Sequence, residues 1–331
     1  MANTDRGRSD RSRRDHYAEV TAQIVAALEA GTPPWRRPWD TSKATGPAMP
    51  RNAITGAAYR GVNVLTLTLS PLAFASGDPR WATYKQAAER GWQVRKGSRG
   101  TTAYFFKRLE IANKSRDEAT GEETATRRIP LLRAFTLFHA SQIDDIPDYT
   151  PPTLEEAPWR APEAVEIVVA NNGVPVREGG DRAFYSPHGD FVQMPVRSSF
   201  RSAEAWASVI VHEMAHASSA PSRLNRDIRN CFSSDGYARE ELVAELAQMM
   251  ACGELGIADC EFTNGVAYLS SWISALRNDR KEIFRAAAEA QRVADWLLNF
   301  HPDYAVRHKT GSLEDEAPSS APAPSEFAEA A

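Results

Sequence analysis

From Asp15 to Ala30 the apolar positions Val20, Ile24, Val25, Ala27 and Leu28 recur every three to four residues. That spacing puts side chains on one face of an α-helix, which Gly31 and the breaker Thr32-Pro33-Pro34 then end. Between Trp35 and Lys107 apolar stretches are short and punctuated by Gly and Pro, predicting a small unit of mixed helix and strand. Tyr104-Phe105-Phe106 reads as a buried strand and Leu131 to Phe138 as the next, with the charged stretch Lys114 to Arg128 a solvated loop or hairpin tip. Asp144 to Pro162 is rich in Pro, Asp and Glu and is the candidate linker. Beyond it a helix opens, two strand pieces flank the turn Pro187-His188-Gly189, and helices are expected at about 203–218, 237–255, 264–277 and 279–299.

The pattern is that of an α+β chain: a basic arm (1–14), a small mixed domain (15–145), a linker (146–162), a mostly helical domain (163–307) and a tail of Ala, Pro, Ser and Glu (308–331). The arm carries five arginines and almost nothing apolar, so it is expected to be disordered, as is the tail. At 331 residues the chain is long enough for two cores. No run of about 18 apolar residues is present, which excludes a transmembrane helix and predicts no membrane partner. Arg13-Arg14 is followed by Asp15, His16, Glu19 and Gln23, too polar for an export signal, so a cytoplasmic protein is expected. Cys231, Cys252 and Cys260 are odd in number and lack a C-x-x-C pair, which fits reduced thiols.

The net charge of −4 conceals an asymmetry. Residues 1–145 carry 23 Lys and Arg against 15 Asp and Glu, whereas the remainder carries 16 against 28. A basic half joined to an acidic half points to a polyanion met by the first. Four stretches there interleave rings with cations: Trp35-Arg36-Arg37, Tyr59-Arg60, Arg80-Trp81 with Tyr84-Lys85, and Trp92 with Arg95-Lys96. Aromatic faces stack on unpaired bases while cations hold phosphates, so Trp35, Arg36, Arg37, Tyr59, Arg60, Arg80, Trp81, Tyr84, Lys85, Arg95 and Lys96 are the candidate contacts to single-stranded DNA. The tryptophans serve equally well as core residues.

In the second half, His212-Glu213-Met214-Ala215-His216 matches H-E-x-x-H inside an apolar-periodic stretch. Four residues are about one helical turn, so both imidazoles leave one face and can bind one ion, with Glu213 placed to take a proton from water. Glu241 and Glu245 share a face of the next predicted helix, where carboxylates among Leu242, Leu246 and Met249 need a cation or a donor. The simplest assignment makes Glu241 the third ligand and Glu245 the acceptor for the far nitrogen of a histidine; the reverse assignment stays open. Two histidines and a glutamate with one open position favour Zn2+, with other divalent metals using the same donors. Asp190 to Pro195 reads as a short strand beside the metal helix, either a template for an extended peptide or an ordinary edge strand, and Tyr185 and Tyr237 are candidates to stabilise an oxyanion.

The Glu240 to Glu245 segment resembles the N-E-x-x-S-D segment of gluzincin-type metallopeptidases, with Glu240 standing where that pattern has Asn and Glu245 where it has Asp. More broadly, Gly31 to Trp35, Tyr59 to Asn63, Arg80 to Gln86, Val94 to Gly97, His212 to His216 and Tyr237 to Glu245 together resemble the ArdC family of antirestriction proteins. That resemblance covers roughly residues 15–300. It implies a single-stranded-DNA-binding domain followed by a zincin-like metallopeptidase domain, and protection of incoming plasmid DNA from host restriction enzymes. Three readings follow: a coat for single-stranded DNA, a DNA-tethered peptidase that cuts a host or DNA-bound protein such as a restriction enzyme, and a general peptidase whose basic half only packs against it.

Overall fold

A computed structural model describes residues 14–31, 33, 35, 49–72, 77–111, 127–150, 161–226, 234–257 and 265–305. Most of the predicted basic arm, the segment 112–126 and the predicted tail lie outside the described residues. Helix α1 (His16–Glu29) starts where the Asp15 carboxylate accepts the N–H of Ala18 at 3.2 Å, one of the donors a helix start leaves unpaired. Its stripe Val20, Ile24, Val25 and Leu28 is buried. Arg14, the last residue of the predicted arm, pairs with Glu19.

In the first half a four-stranded sheet has the order β1 (Arg51–Asn52), β2 (Arg80–Ala82), β5 (Arg127–His139), β4 (Thr101–Ile111). The β1–β2 pair is parallel and the other two are antiparallel. Strands β4 and β5 form a long ribbon from Thr101↔Leu137 to Ile111↔Arg127, so β5 begins at Arg127, within the stretch expected to be loop. Helix α2 (Val62–Thr68) packs on β4, and α3 (Tyr84–Glu89) is started by a reciprocal cap between Thr83 and Gln86. A small antiparallel pair joins β3 (Gln93–Val94) to β6 (Ile143–Asp144), so Asp144 is part of a sheet rather than of a linker.

The second half opens with α4 (Ala161–Asn172). A three-stranded sheet follows, with β9 (Phe191–Met194) between parallel β7 (Val176–Glu178) and antiparallel β8 (Phe184–Ser186). The predicted Asp190–Pro195 strand is therefore central, paired on both sides, and the sheet edge nearest the metal helix is β8. Four helices complete the chain: α5 (Ala203–Ala217), α6 (Ser234–Leu255), α7 (Gly265–Asn278) and α8 (Glu282–Leu298). Among the described residues no helix is long and apolar enough to cross a membrane.

The two halves share one core. Val20, Ile24 and Leu28 of α1, then Trp35, Met49, Val64, Leu65 and Tyr104, belong to the same buried cluster as the inner faces of α4 to α8. Ion pairs and hydrogen bonds close the seam: Arg60 with Asp295, the Gly61 N–H to Gln291 at 2.9 Å, Arg51 with Glu254 at 3.0 Å, and Arg277 with Glu29. Only two small satellite clusters belong to the first half alone among the described residues, Leu67, Trp81, Ala103 and Leu137 in one and Ala82, Ala87, Val94 and Ile143 in the other.

Candidate metal centre

Ser202 starts α5 by accepting the N–H of Ala205 at 3.0 Å, and from Ala205 to Ala215 every residue of the helix is buried. His212 and His216 leave it one turn apart. Their Nε2 atoms approach to 3.2 Å, and the rings stand nearly perpendicular, at 84°. Helix α6 runs back along α5 and brings the Glu241 carboxylate to both: Oε2 lies 3.5 Å from His212 Nε2 and Oε1 lies 3.5 Å from His216 Nε2. One ligand atom from each of the three residues falls within 4.8 Å of the others. Bonds of about 2.0–2.1 Å to a tetrahedral ion put neighbouring donors about 3.3 Å apart, so the spacing suits a single divalent cation.

Behind the ligands sits a buried ionic clamp. His216 Nδ1 lies 3.0 Å from Glu240 Oε1, and Arg226 grips both Glu240 oxygens at 2.6 and 2.8 Å. The same guanidinium donates to Ala215 O at 2.8 Å and Ser218 Oγ at 3.2 Å, which fastens the carboxylate to the end of α5. Burial pushes the His216 imidazolium toward deprotonation. The Glu240 hydrogen bond and the charges of Glu241, Glu240 and Glu213 outweigh burial and raise the pKa to about 9. Conversely, burial pushes Glu240 and Glu241 up, yet both end below the usual carboxylate range. The His216 bond and the His216 and Arg226 charges do this for Glu240; the His212 bond, the two histidine charges and the Tyr237 bond do it for Glu241.

Among the described residues the hydrogen bond seen at Glu245 comes from an indole and not from a histidine. The acceptor behind His216 is Glu240, because one residue turns a helix by roughly 100° and so aims Glu240 at the end of α5 while Glu241 faces the imidazoles. Glu245 lies about 6 Å further along the axis, and its Oε2 accepts the indole N–H of Trp35 at 2.7 Å. Glu240 was visible only as a departure from the N-E-x-x-S-D pattern, and nothing in the spacing singled out Arg226. Glu213, the next residue to His212 on α5, is buried to 7% exposure, and among the described residues no side chain hydrogen-bonds its carboxylate.

The two tyrosines differ. Tyr185 is locked: it donates to Asp190 at 2.9 Å and accepts from Arg223 at 3.1 Å, and burial with the Asp190 bond and charge pushes its pKa up to about 12. Arg223 also binds Asp190 and donates to Ala217 O at 2.6 Å, so this trio ties the β8–β9 hairpin to the end of the metal helix. Tyr237 is 43% exposed beside Glu241, with its pKa raised by burial and by the Glu241 charge; its phenol is at the rim of the site.

The candidate DNA contacts divide as sharply. Trp35 (3% exposed) and Trp81 (0%) are core residues, so neither ring is available to stack on a base. Tyr59 is half-buried against the Trp81 cluster. Arg60 is paired with Asp295, and Arg80 is held by Asp78 at 2.8 Å and by Pro147 O at 2.7 Å. Tyr84, Lys85, Arg95 and Lys96 are exposed, although Lys85 lies 3.7 Å from Glu89 and Arg95 pairs with Asp144. Arg36 and Arg37 lie outside the described residues. Arg90 and Arg99, not among the candidate contacts, share that exposed surface; between Tyr84 and Arg99 five cations face solvent against the single acid Glu89.

A family model described as the N-terminal domain of anti-restriction factor ArdC matches residues 14–138, and one described as a zincin-like metallopeptidase matches residues 163–289. A zincin-like domain is built to hold a divalent metal ion. The chain is 40% identical over 296 residues to a DNA primase TraC of Escherichia coli, covering 86% of this chain but only 27% of that primase, about a quarter of its length. A Sinorhizobium fredii protein, y4eC, is 39% identical over 288 residues, covering 86% of this chain and 91% of that protein. The Mn(II)-bound crystal structure of the antirestriction ArdC protein from plasmid R388 superimposes with a TM-score of 0.69 at 38% identity, covering 88% of this chain and 99% of that one.

Proposed function

The chain belongs to the ArdC family of antirestriction proteins, and from that premise we propose that it is a cytoplasmic protein that binds single-stranded DNA through its N-terminal surface, protects incoming plasmid DNA from host restriction enzymes, and carries a working zinc peptidase-type site. The observation that carries the hydrolytic part is Glu213. A site that only holds a metal needs its ligands and nothing more, yet here a buried carboxylate stands beside them outside the Glu240–Arg226 clamp. Among the described residues no protein donor ties that carboxylate up, which leaves it free to act on a water beside the ion.

His212, His216 and Glu241 hold the ion, and zinc suits two imidazoles and a carboxylate with one open position. Manganese, present in the crystal of the plasmid R388 relative, uses the same donor types. Bound there, the ion supplies a Lewis acid for a carbonyl and a water that gives up its proton near neutral pH. Glu213 is the group that would take a proton from an attacking water and hand it to the leaving amine. Glu240 fixes the His216 ring by its Nδ1, and Tyr237 offers a phenol at the rim for charge developing on the carbonyl oxygen. β8, an edge strand among the described residues, supplies a strand edge along which an extended peptide can lie.

On the N-terminal surface, Tyr84 with Lys85, Arg90, Arg95, Lys96 and Arg99 supports single-strand binding by stacking and phosphate contact. The shared core favours the DNA-tethered form of the chemistry, in which the protein cut is one on the same strand or a host restriction enzyme. Glu213→Gln keeps the ligands, so it should retain zinc and DNA affinity while losing protection of incoming DNA by about 100-fold or more. Full protection by this variant in a plasmid-transfer assay would overturn the hydrolytic reading and leave DNA coating as the function.

A further inference from the structure

Resting on the metal-site reading above, we infer that Trp35, from the N-terminal half, is a positioning residue of the metal centre. Its indole is 3% exposed, and its N–H donates to Glu245 Oε2 at 2.7 Å across 210 residues of sequence. Glu245 is 1% exposed, a depth at which a carboxylate needs donors. The ring of Trp35 meets Trp272 of α7 edge to face at 5.7 Å, and the Trp272 N–H donates to Ala238 O at 2.6 Å. Ala238 and Glu245 lie three residues before and four after Glu241 on α6. One packed pair of indoles therefore holds α6 at two points that bracket the ligand.

The aromatic contact continues outward. Trp272 touches Tyr268, and Tyr268 touches Tyr237, whose phenol stands beside Glu241. A ligand helix has to be held to within about 0.5 Å for its carboxylate to meet two imidazoles, and a directional bond from a buried indole does this where apolar contact alone lets a helix slide or turn. Phenylalanine would fill most of the same space without that bond. The metal centre is thus completed by a residue of the N-terminal half of the chain.

The test uses the full-length protein and four forms: parent, Trp35→Phe, Glu245→Gln and, as a control for loss of a buried indole elsewhere, Trp81→Phe, which belongs to the separate Leu67–Ala103–Leu137 cluster. Zinc affinity is measured by chelator competition, and the ligand geometry by the visible absorption of the cobalt-substituted protein. Trp35→Phe should weaken zinc by about 10–100-fold and shift the cobalt bands, as loss of a group that orients a ligand does. Glu245→Gln should move both in the same direction by a smaller factor, and it decides the matter should Trp35→Phe not fold. Trp81→Phe should leave both readouts at the parent's values. Parent-like affinity and spectrum in Trp35→Phe and Glu245→Gln overturn the inference while leaving the metal site standing, as does equal weakening by Trp81→Phe. A parent protein that takes up no metal overturns both.

Discussion

The histidines of α5 and the cations between Tyr84 and Arg99 stand out equally in the sequence, yet the fold treats them in opposite ways. At the metal centre His212, Glu213 and Glu241 are buried and His216 is half-buried, and the supports are themselves held: His216 by Glu240, Glu240 by Arg226, and α6 by Trp35 and Trp272. On the N-terminal surface Lys85 and Arg95 pair with the exposed acids Glu89 and Asp144, and Arg95 also donates to Ser141 O, but these contacts lie at the surface, where long side chains can exchange them for a flexible polyanion. Chemistry at a metal needs donors fixed to tenths of an ångström, whereas a non-specific strand needs charge and a flat ring within reach. Rigidity is spent where geometry decides the outcome, and the surface proposed to meet DNA is left loose.

The largest effect that can break this contrast comes from the ligands. His212→Ala, His216→Ala or Glu241→Ala should abolish stoichiometric zinc while leaving single-strand affinity within about twofold, because the exposed cations lie on other elements. Metal analysis and fluorescence anisotropy on the same samples check this; a parallel collapse of DNA affinity would mean that the two regions are one site.

An intermediate effect sharpens the picture of a clamped centre. His216 titrates near 9 without metal, above the ordinary histidine value of about 6.5, so its stabilising attraction to Glu240 and Glu241 is complete below 6.5 and is lost as pH rises through 9. Metal-free protein should therefore lose thermal stability between pH 6.5 and 9. The depressed Glu240 and Glu241 add a loss on the acid side, as pH falls below about 4.5. Zinc binding, which needs the neutral ring, should tighten over the same alkaline range and release a proton. Glu240→Ala should flatten the metal-free profile and weaken zinc by about 10–100-fold. Melting curves across pH, with and without zinc, decide; an unchanged profile in Glu240→Ala would remove the clamp from the account.

The smallest effects belong to the surface. Lys85→Ala and Lys96→Ala should each weaken single-strand binding only a few-fold and lower the salt slope by about 0.7, the value expected when one phosphate contact to a single strand is lost. Tyr84→Ala should cost about 1–3 kcal/mol of stacking without altering the slope. Salt titrations of these variants would refute the assignment if both slope and affinity stayed at parental values.

Much of this was legible from spacing alone. Helical period, with Gly31 as the stop of α1, marked α1, α5, α6, α7 and α8 to within a few residues, since those signals act within a turn or two of the chain. H-E-x-x-H likewise encodes part of its own geometry: four residues on a helix place two imidazoles on one face about a turn apart, and here their Nε2 atoms reach 3.2 Å. The split of charge between the halves was also plain in the composition. What spacing could not carry were relations across the fold. Trp35 and Trp81 had the neighbours of base-stacking rings, but burial is decided by elements far away, and for Trp35 the deciding partner is 210 residues distant. Glu240, Glu241 and Glu245 are chemically alike and nearly adjacent; only the crossing of α6 over α5 determines which faces the imidazoles, which braces one from behind and which binds an indole. Local periodicity determines which elements form, and the packing of those elements determines which of several equivalent side chains does the work, because a donor–acceptor pair depends on distances in space that no linear pattern records.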